Sequence, residues 1–265
     1  MSHEYVTVER PSPRIAIVRF DRGNRANALS LQAMRELTEV AGELDADAEL
    51  SAIVLTGGSD NFSLGADLKD PERAGSPGDG LAQRRMHLRA GPRMCEAWER
   101  LEPMTIAAIE GYCVGGGAAL VVSCDLRVVT EDSTVYVPEI ERGMNMSWGS
   151  VPRIVNLVGV SRAKRIVVMA EKIGAERALS WGLCDEVAPA GQSVSRALEL
   201  AERIAELPPV QVRMCKQGCD VAAKALNFAT SYMDRDQFAL SQTSADFAEG
   251  VQAFLEKRPP KYTGG

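Results

Sequence analysis

Histidine is nearly missing from this 265-residue chain: there are two, His3 beside the N-terminus and His87 in a helix-like stretch. A Ser–His–Asp or Cys–His mechanism would have to run through His87, which has no motif around it. A histidine-based metal site has almost nothing to build on, and no metal is expected. Proton transfer must then fall to Asp, Glu, Tyr, Lys or Cys. Long apolar runs are also lacking, none approaching the about 20 residues of a membrane span. The opening Met1-Ser2-His3-Glu4 has no basic-then-apolar signal pattern. The expectation is a cytoplasmic protein with no membrane partner. Positive charge is in deficit, with a net charge of −6 and no long basic run, which argues against a nucleic-acid partner. The densest basic cluster, Arg162, Lys164 and Arg165, reads as a solvated helix face. Six cysteines are scattered, and Cys215 and Cys219 stand four apart rather than as CxxC. They read as reduced, partly buried thiols. No fixed-period repeat or low-complexity tract is present. No G-x-G-x-x-G follows the first strand, so a dinucleotide-binding oxidoreductase is disfavoured.

What is present belongs to an ordinary globular protein, 45% apolar and 25% charged. The length suits one large domain, or one domain with an appendage. Residues 14–20 are short, β-branched and apolar, and read as a strand. A polar turn follows, and Ser30 offers an N-cap to a helix with Leu31, Met34, Leu37, Val40, Ala41 and Leu44 at helical spacing. Strands are predicted at 52–55, 104–110 and 126–129, with a helix at 117–124 between the last two. The alternation implies an α/β architecture. Residues 71–80 are a loop by composition, either a flap over a pocket or an inert connection. One helix is predicted over about 81–101. After residue 193 the pattern is helical only, over 193–206, 210–225 and 243–255, with Thr243 and Asp246 as a capping box for the last. Such a tail is too small to bury its own core and must pack on the body or on another subunit.

The most informative stretch is Gly115-Gly116-Gly117, set between an apolar strand-like run and an apolar helix-like run. Without a Cβ the backbone can press against a ligand there. The first N–H groups of the following helix then favour negative charge. Such a site suits a phosphate, or an oxyanion that develops on a carbonyl during reaction.

Five stretches then line up in order: Asn27-Ala28-Leu29-Ser30; Phe62-Ser63-Leu64-Gly65-Ala66-Asp67-Leu68-Lys69; the triple glycine with Cys124-Asp125-Leu126; Pro138-Glu139-Ile140; and Ala253-Phe254-Leu255-Glu256-Lys257-Arg258. Together they resemble the crotonase superfamily, the enoyl-CoA hydratases and isomerases, over nearly the whole chain from residue 5 to 262. The resemblance implies a crotonase-like spiral of ββα turns over residues 1–192 that carries the acyl-CoA site. It implies a C-terminal helical trimerisation region over 193–265, and a homotrimer or dimer of trimers. The substrate it implies is an acyl-CoA thioester, with no cofactor because CoA is part of that substrate. By motif position, the N–H groups of Ala66 and Gly116 would hold an enolate-like oxyanion, each such donor being worth about 2.7–4 kcal/mol. The backbone around Ala26 and Ala28, with Leu29, would flank the pantetheine and adenine. Gly65, Asp67 and Leu68 belong to the same CoA-binding stretch. Lys69 matches a position near the CoA, and Lys257 one that reaches its phosphates.

The chain also departs from that pattern. Hydratases of the family carry two glutamates around one water. The second matches Glu139, but the first falls on Ala119, which has no proton to move. Where hydratases tend to read Gly-x-x-Pro-Gly-x-Gly-Gly, this chain reads Gly143-Met144-Asn145-Met146-Ser147-Trp148-Gly149-Ser150. Met144, Met146 and Trp148 would narrow the acyl pocket if they point inward. One lost acid–base group costs about 3–5 kcal/mol of barrier in a hydration. Moving a double bond from C3 to C2 needs only one base, which takes a proton from C2 and returns it at C4. The expectation from sequence is therefore an enoyl-CoA isomerase with Glu139 as base and Ala66 and Gly116 as oxyanion donors. The alternatives are a hydratase or dehydratase, either slow with Glu139 alone or helped by Tyr112, Asp67, Asn145 or Ser147; a decarboxylase or thioester hydrolase; and a non-catalytic acyl-CoA binder.

Overall fold

The fold opens on an edge strand, β1 (Val6–Ser12), that turns back antiparallel into β2 (Ile15–Phe20). The structure is a computed structural model describing residues 3–72 and 80–265. There follow α1 (Leu31–Asp45), β3 (Ala52–Thr56), α2 (Leu81–His87), α3 (Ala90–Arg100), β4 (Met104–Ile109), β5 (Tyr112–Val114) and α4 (Gly116–Val121). The next turn holds β6 (Leu126–Thr130), β7 (Thr134–Tyr136), a 3-10 turn at Glu139–Arg142, α5 (Ser150–Val158) and α6 (Val160–Val167). Then come β8 (Ile173–Gly174), α7 (Ala175–Trp181), β9 (Glu186–Ala188) and α8 (Ser193–Ala205). Four helices end the chain: α9 (Pro209–Lys224), α10 (Asn227–Ser231), α11 (Asp234–Ser241) and α12 (Ala245–Glu256).

The larger sheet has the order β1-β2-β3-β4-β6-β9, parallel from β2 onward, and the smaller one the order β5-β7-β8. Single bridges from Leu29 to Ala66 and from Ser63 to Cys113 carry the small sheet's line back along earlier turns. Each turn of the chain thus lays one segment on each sheet before its helix, which is the ββα spiral the resemblance implies. Period-two alternation divides the large sheet's side chains between two cores. Val18, Phe20, Ile53, Leu55, Ala107 and Ile109 face α1, α3 and α4. Ile17, Val54, Ile106, Ala108 and Val128 face α8, through Ala197 and Ala201.

Local chemistry explains where elements start and stop. Ser30 Oγ accepts a hydrogen bond from Ala33 N at 3.1 Å and caps α1. On the same helix the buried Glu36 carboxylate accepts from the N–H groups of Glu4, Tyr5 and Val6, fastening the start of β1. The helix predicted over 81–101 is two helices, α2 and α3. Pro92 has no N–H for the carbonyl of Leu88, so the chain breaks and restarts with Pro92 in the first turn of α3, where no donor is needed. The last helix is capped one residue later than expected: Ser244 Oγ accepts from Phe247 N at 3.0 Å. Asp246 instead accepts from the N–H groups of Thr263 and Gly264. Of the loop at 71–80, residues 73–79 lie outside the described residues.

The helical tail is fastened to the body by charge as well as packing. The Nζ of Lys216 on α9 lies 2.7 Å from Asp125 and 2.8 Å from the carbonyl of Pro103. Asp234 of α11 accepts from Gly149 N at 2.8 Å. Helix α12 lies on the 3-10 turn at Gly250, where a Cβ would come 2.4 Å from the Arg142 carbonyl carbon. The tail therefore touches the segment that carries Glu139.

Candidate active site

Strand β5 builds one side of the site. Ser63 N donates to Tyr112 O at 3.1 Å and Val114 N to Ser63 O at 2.9 Å, which lays Val114-Gly115-Gly116 beside Ser63-Leu64-Gly65-Ala66. A Cβ on Gly116 would stand 3.3 Å from Ala66 N, and one on Gly65 would stand 3.5 Å from Gly116 N. The two amides are thus neighbours at the mouth of α4. Neither donates to any of the described residues. Gly115 takes φ +52° to make this turn, a left-handed conformation that suits glycine. Two idle amides at a helix start are a receptor for charge that builds on a carbonyl oxygen.

Glu139 follows the buried Pro138 and opens the 3-10 turn. Its carboxylate packs against Gly115, where a Cβ would meet Oε1 at 2.5 Å. The missing side chain of Gly115 thus brings the carboxylate against the peptide that precedes Gly116. Glu139, Gly65, Ala66, Leu68 and Gly116 all line one cavity of about 110 Å³. Its walls are largely apolar, from Leu64, Val114, Met144, Met146, Phe238 and Phe254. Met144, Met146 and Trp148 do point inward.

Trp148 shapes the floor. Its indole fills the space above two glycines: a Cβ would lie 2.0 Å from the ring on Gly91 and 2.7 Å on Gly116. The residue sits at φ +61°, a costly conformation for a bulky side chain. It is clamped on both sides. Arg153 Nη1 donates to Trp148 O at 2.8 Å, and the next amide, Gly149 N, donates to Asp234. Arg153 is itself held by a two-pronged pair with Glu99 at 2.8 and 2.7 Å. Burial pushes the Glu99 carboxyl up, but the Arg153 guanidinium, with Lys224, outweighs it and holds Glu99 below the ordinary carboxylate range. Burial raises the Asp234 carboxyl, against the pull of the Gly149 N–H and Arg153.

Ala119, the position of the missing glutamate, is fully buried in the core on α4. Of the four groups considered as substitutes, two do not line the cavity: Tyr112 is 44% exposed, and Asp67 is paired with Arg22 at 2.6 Å. The other two, Asn145 and Ser147, line it. Asn145 Oδ1 is buried and accepts no hydrogen bond from the described residues.

The remaining expected CoA-binding residues lie outside the cavity lining. Leu29 is fully buried, and its N–H and carbonyl are taken by Gly65 and Asp67, so it presents no side chain to a ligand. The carbonyl of Ala26 accepts from Leu64 N, and that of Ala28 from Arg22. Lys69 and Lys257 are exposed. Sequence reasoning did not single out Arg142 or Phe238, and it used Phe254 only as part of a motif. Nothing local marks them, because the tail and the 3-10 turn meet only in the folded chain. Among the described residues no three His, Cys, Asp or Glu side chains gather as metal ligands. No helix among them is long and apolar enough to cross a membrane.

An α/β spiral that sets two idle backbone amides and one carboxylate in an apolar cavity is an arrangement that can polarise a carbonyl and move a proton beside it. The chain belongs to the enoyl-CoA hydratase/isomerase family of the crotonase superfamily, which matches residues 11–265. It is 31% identical to a mevalonyl-coenzyme A hydratase of Aspergillus fumigatus, over 96% of this chain and 93% of that one. It is 30% identical to a short-chain-enoyl-CoA hydratase of Clostridium acetobutylicum, with 92% of each covered. Among solved structures, a carnitinyl-CoA hydratase from Mycobacterium avium superposes with a TM-score of 0.86 at 31% identity, over the full length of both. The chain is thus an acyl-CoA-processing crotonase enzyme.

Proposed function

We propose that this protein hydrates short-chain 2-enoyl-CoA thioesters, and dehydrates the 3-hydroxy products, with Glu139 as its acid–base group. The observation that carries the reading is the convergence of Ala66, Gly116, Glu139 and Asn145 on one small cavity. The names of the relatives support hydration over the double-bond migration expected from sequence. One carboxyl group suffices if both of its oxygens work. Protonated Glu139 gives its proton to C2 while its other oxygen takes one from the water that attacks C3. The C3–O and C2–H bonds form, the C2=C3 π bond is lost, and the carboxyl group ends protonated as it began. The charge that passes through the thioester oxygen is met by the amides of Ala66 and Gly116. Asn145 Oδ1 accepts the water's second hydrogen, the task left vacant at Ala119. The reading calls for no cofactor.

Trp148 and the small cavity volume support a short acyl group, as does the short-chain relative. The reading also includes a cytoplasmic location and assembly of copies through the outer face of α9 and α10, where Val210, Met214, Val221, Leu226 and Phe228 are exposed. Isomerisation stays as the second reading because Ala119 is apolar and buried. The test follows the absorbance of the conjugated enoyl thioester with crotonyl-CoA and with 3-butenoyl-CoA. Loss of conjugation from crotonyl-CoA is expected. Appearance of conjugation from 3-butenoyl-CoA, with crotonyl-CoA untouched, would put isomerisation first.

A further inference from the structure

Of the described residues that line the cavity, Arg142 alone carries positive charge. Its guanidinium lies 4.2 Å from the Phe254 ring centre. Its Nε is buried and donates to none of the described residues. Other arginines of the fold have a carboxylate in contact: Arg22 with Asp67 at 2.6 Å, Arg127 with Asp185 at 2.9 Å, Arg153 with Glu99 at 2.7 Å. Arg142 has no such ion pair among the described residues. Glu139 stands one turn back in the same lining, and the other acids around it are committed elsewhere. Glu141 accepts from the Tyr136 hydroxyl. Glu249 accepts from Arg258 at 2.6 and 2.8 Å. Asp246 accepts from Thr263 and Gly264.

Arg142 is half-buried with its Nε covered, and covering part of a guanidinium without an anion is costly. The apolar walls of the cavity strengthen its attraction for one. Position says where that anion would sit. Residues three apart on a 3-10 turn lie one above the other, about 6 Å along the axis. Arg142 therefore stands one turn beyond Glu139 on the same face. Its backbone is pinned against Gly250 of α12 and its guanidinium against Phe254, so the fork is largely preorganised.

We infer that Arg142 is a receptor for a carboxylate at the far end of the acyl group. The substrate class is then a short 2-enoyl-CoA that ends in a carboxylate. This rests on the thioester reading of the site, with the carbonyl at Ala66 and Gly116 and the chain running past Glu139.

The test uses saturated thioesters that cannot be hydrated, so it does not depend on turnover. Glutaryl-CoA and butyryl-CoA, which differ by the terminal carboxylate, are titrated calorimetrically into the full-length protein, Arg142→Met and Arg142→Lys. The unaltered protein should bind glutaryl-CoA at least tenfold more tightly than butyryl-CoA. R142M should lose that preference while keeping its affinity for butyryl-CoA, and R142K should keep part of it. Equal affinity of the unaltered protein for the two ligands overturns the inference but leaves the thioester reading standing. Equal weakening of both ligands and of free CoA in R142M also overturns it, by assigning Arg142 to a CoA phosphate. Failure of both thioesters to bind the unaltered protein overturns the thioester reading, and this inference with it.

Discussion

If the proposed short-chain preference holds, replacing Trp148 with alanine should let the enzyme accept longer acyl groups. The indole occupies the volume above Gly91 and Gly116, on the floor of a cavity of only about 110 Å³. Removing it opens apolar space directly below the position of the thioester carbonyl. Each methylene that gains burial there contributes about 0.8 kcal/mol. Two more methylenes, from a four-carbon to a six-carbon substrate, contribute about 1.6 kcal/mol, or roughly 15-fold in kcat/KM. The ratio of kcat/KM for 2-hexenoyl-CoA to that for crotonyl-CoA should rise by about that factor. Because Trp148 is half-buried, stability should fall by less than the about 3–5 kcal/mol of a fully buried aromatic truncation, and denaturant unfolding measures it. Trp148→Gly should be the more stable of the two variants by about 1 kcal/mol, because alanine keeps the strain of φ +61° and glycine relieves it. An unchanged substrate ratio in both variants would refute the role given to the indole.

Glu139→Gln should lower hydration by about 10²–10⁴-fold with little change in CoA affinity, and full activity would remove Glu139 from the mechanism. Asn145→Ala should lower kcat by roughly 10–100-fold, the worth of one hydrogen bond to the water, with KM nearly kept. Gly250→Val should drive a side chain into the Arg142 backbone, where a Cβ alone would approach to 2.4 Å. A stability loss of about 1–3 kcal/mol and a raised KM for the thioester are expected, as α12 lifts from the 3-10 turn. The Glu99–Arg153 pair should make the protein acid-sensitive. Glu99 titrates below its unfolded value of about 4.3, so its contribution is present above that pH and is lost as pH falls through the folded value. Glu99→Gln should flatten the stability curve below about pH 4.3 and cost about 3–5 kcal/mol near neutrality, where Arg153 is left buried and unpaired. A melting profile against pH for both proteins checks this.

Much of the fold was written in local pattern. Strands β2, β3, β4 and β6 are apolar runs buried on both faces, and the Ser30 cap and the α1 stripe need only their own neighbours. The family resemblance in motif order brought out Ala66, Gly116 and Glu139. The edge strand β1 escaped notice because it contains Pro11 and exposed polar residues, which only an edge tolerates. Strands β5, β7 and β8 are too short to leave a period. The break between α2 and α3 has a local mark in Pro92, but the apolar spacing on either side of it reads as one helix. The names of the relatives, with Asn145 in the cavity lining, put hydration ahead of isomerisation in the proposed function.

Tertiary structure alone decided which way Trp148 points, which of the candidate substitutes for the missing glutamate line the cavity, and that Arg142 meets Phe254 from more than a hundred residues away. Sequence determines what a residue can do and what its neighbours along the chain permit. Whether a charge finds a partner, or a side chain fills a pocket, depends on the distant segments that folding brings against it.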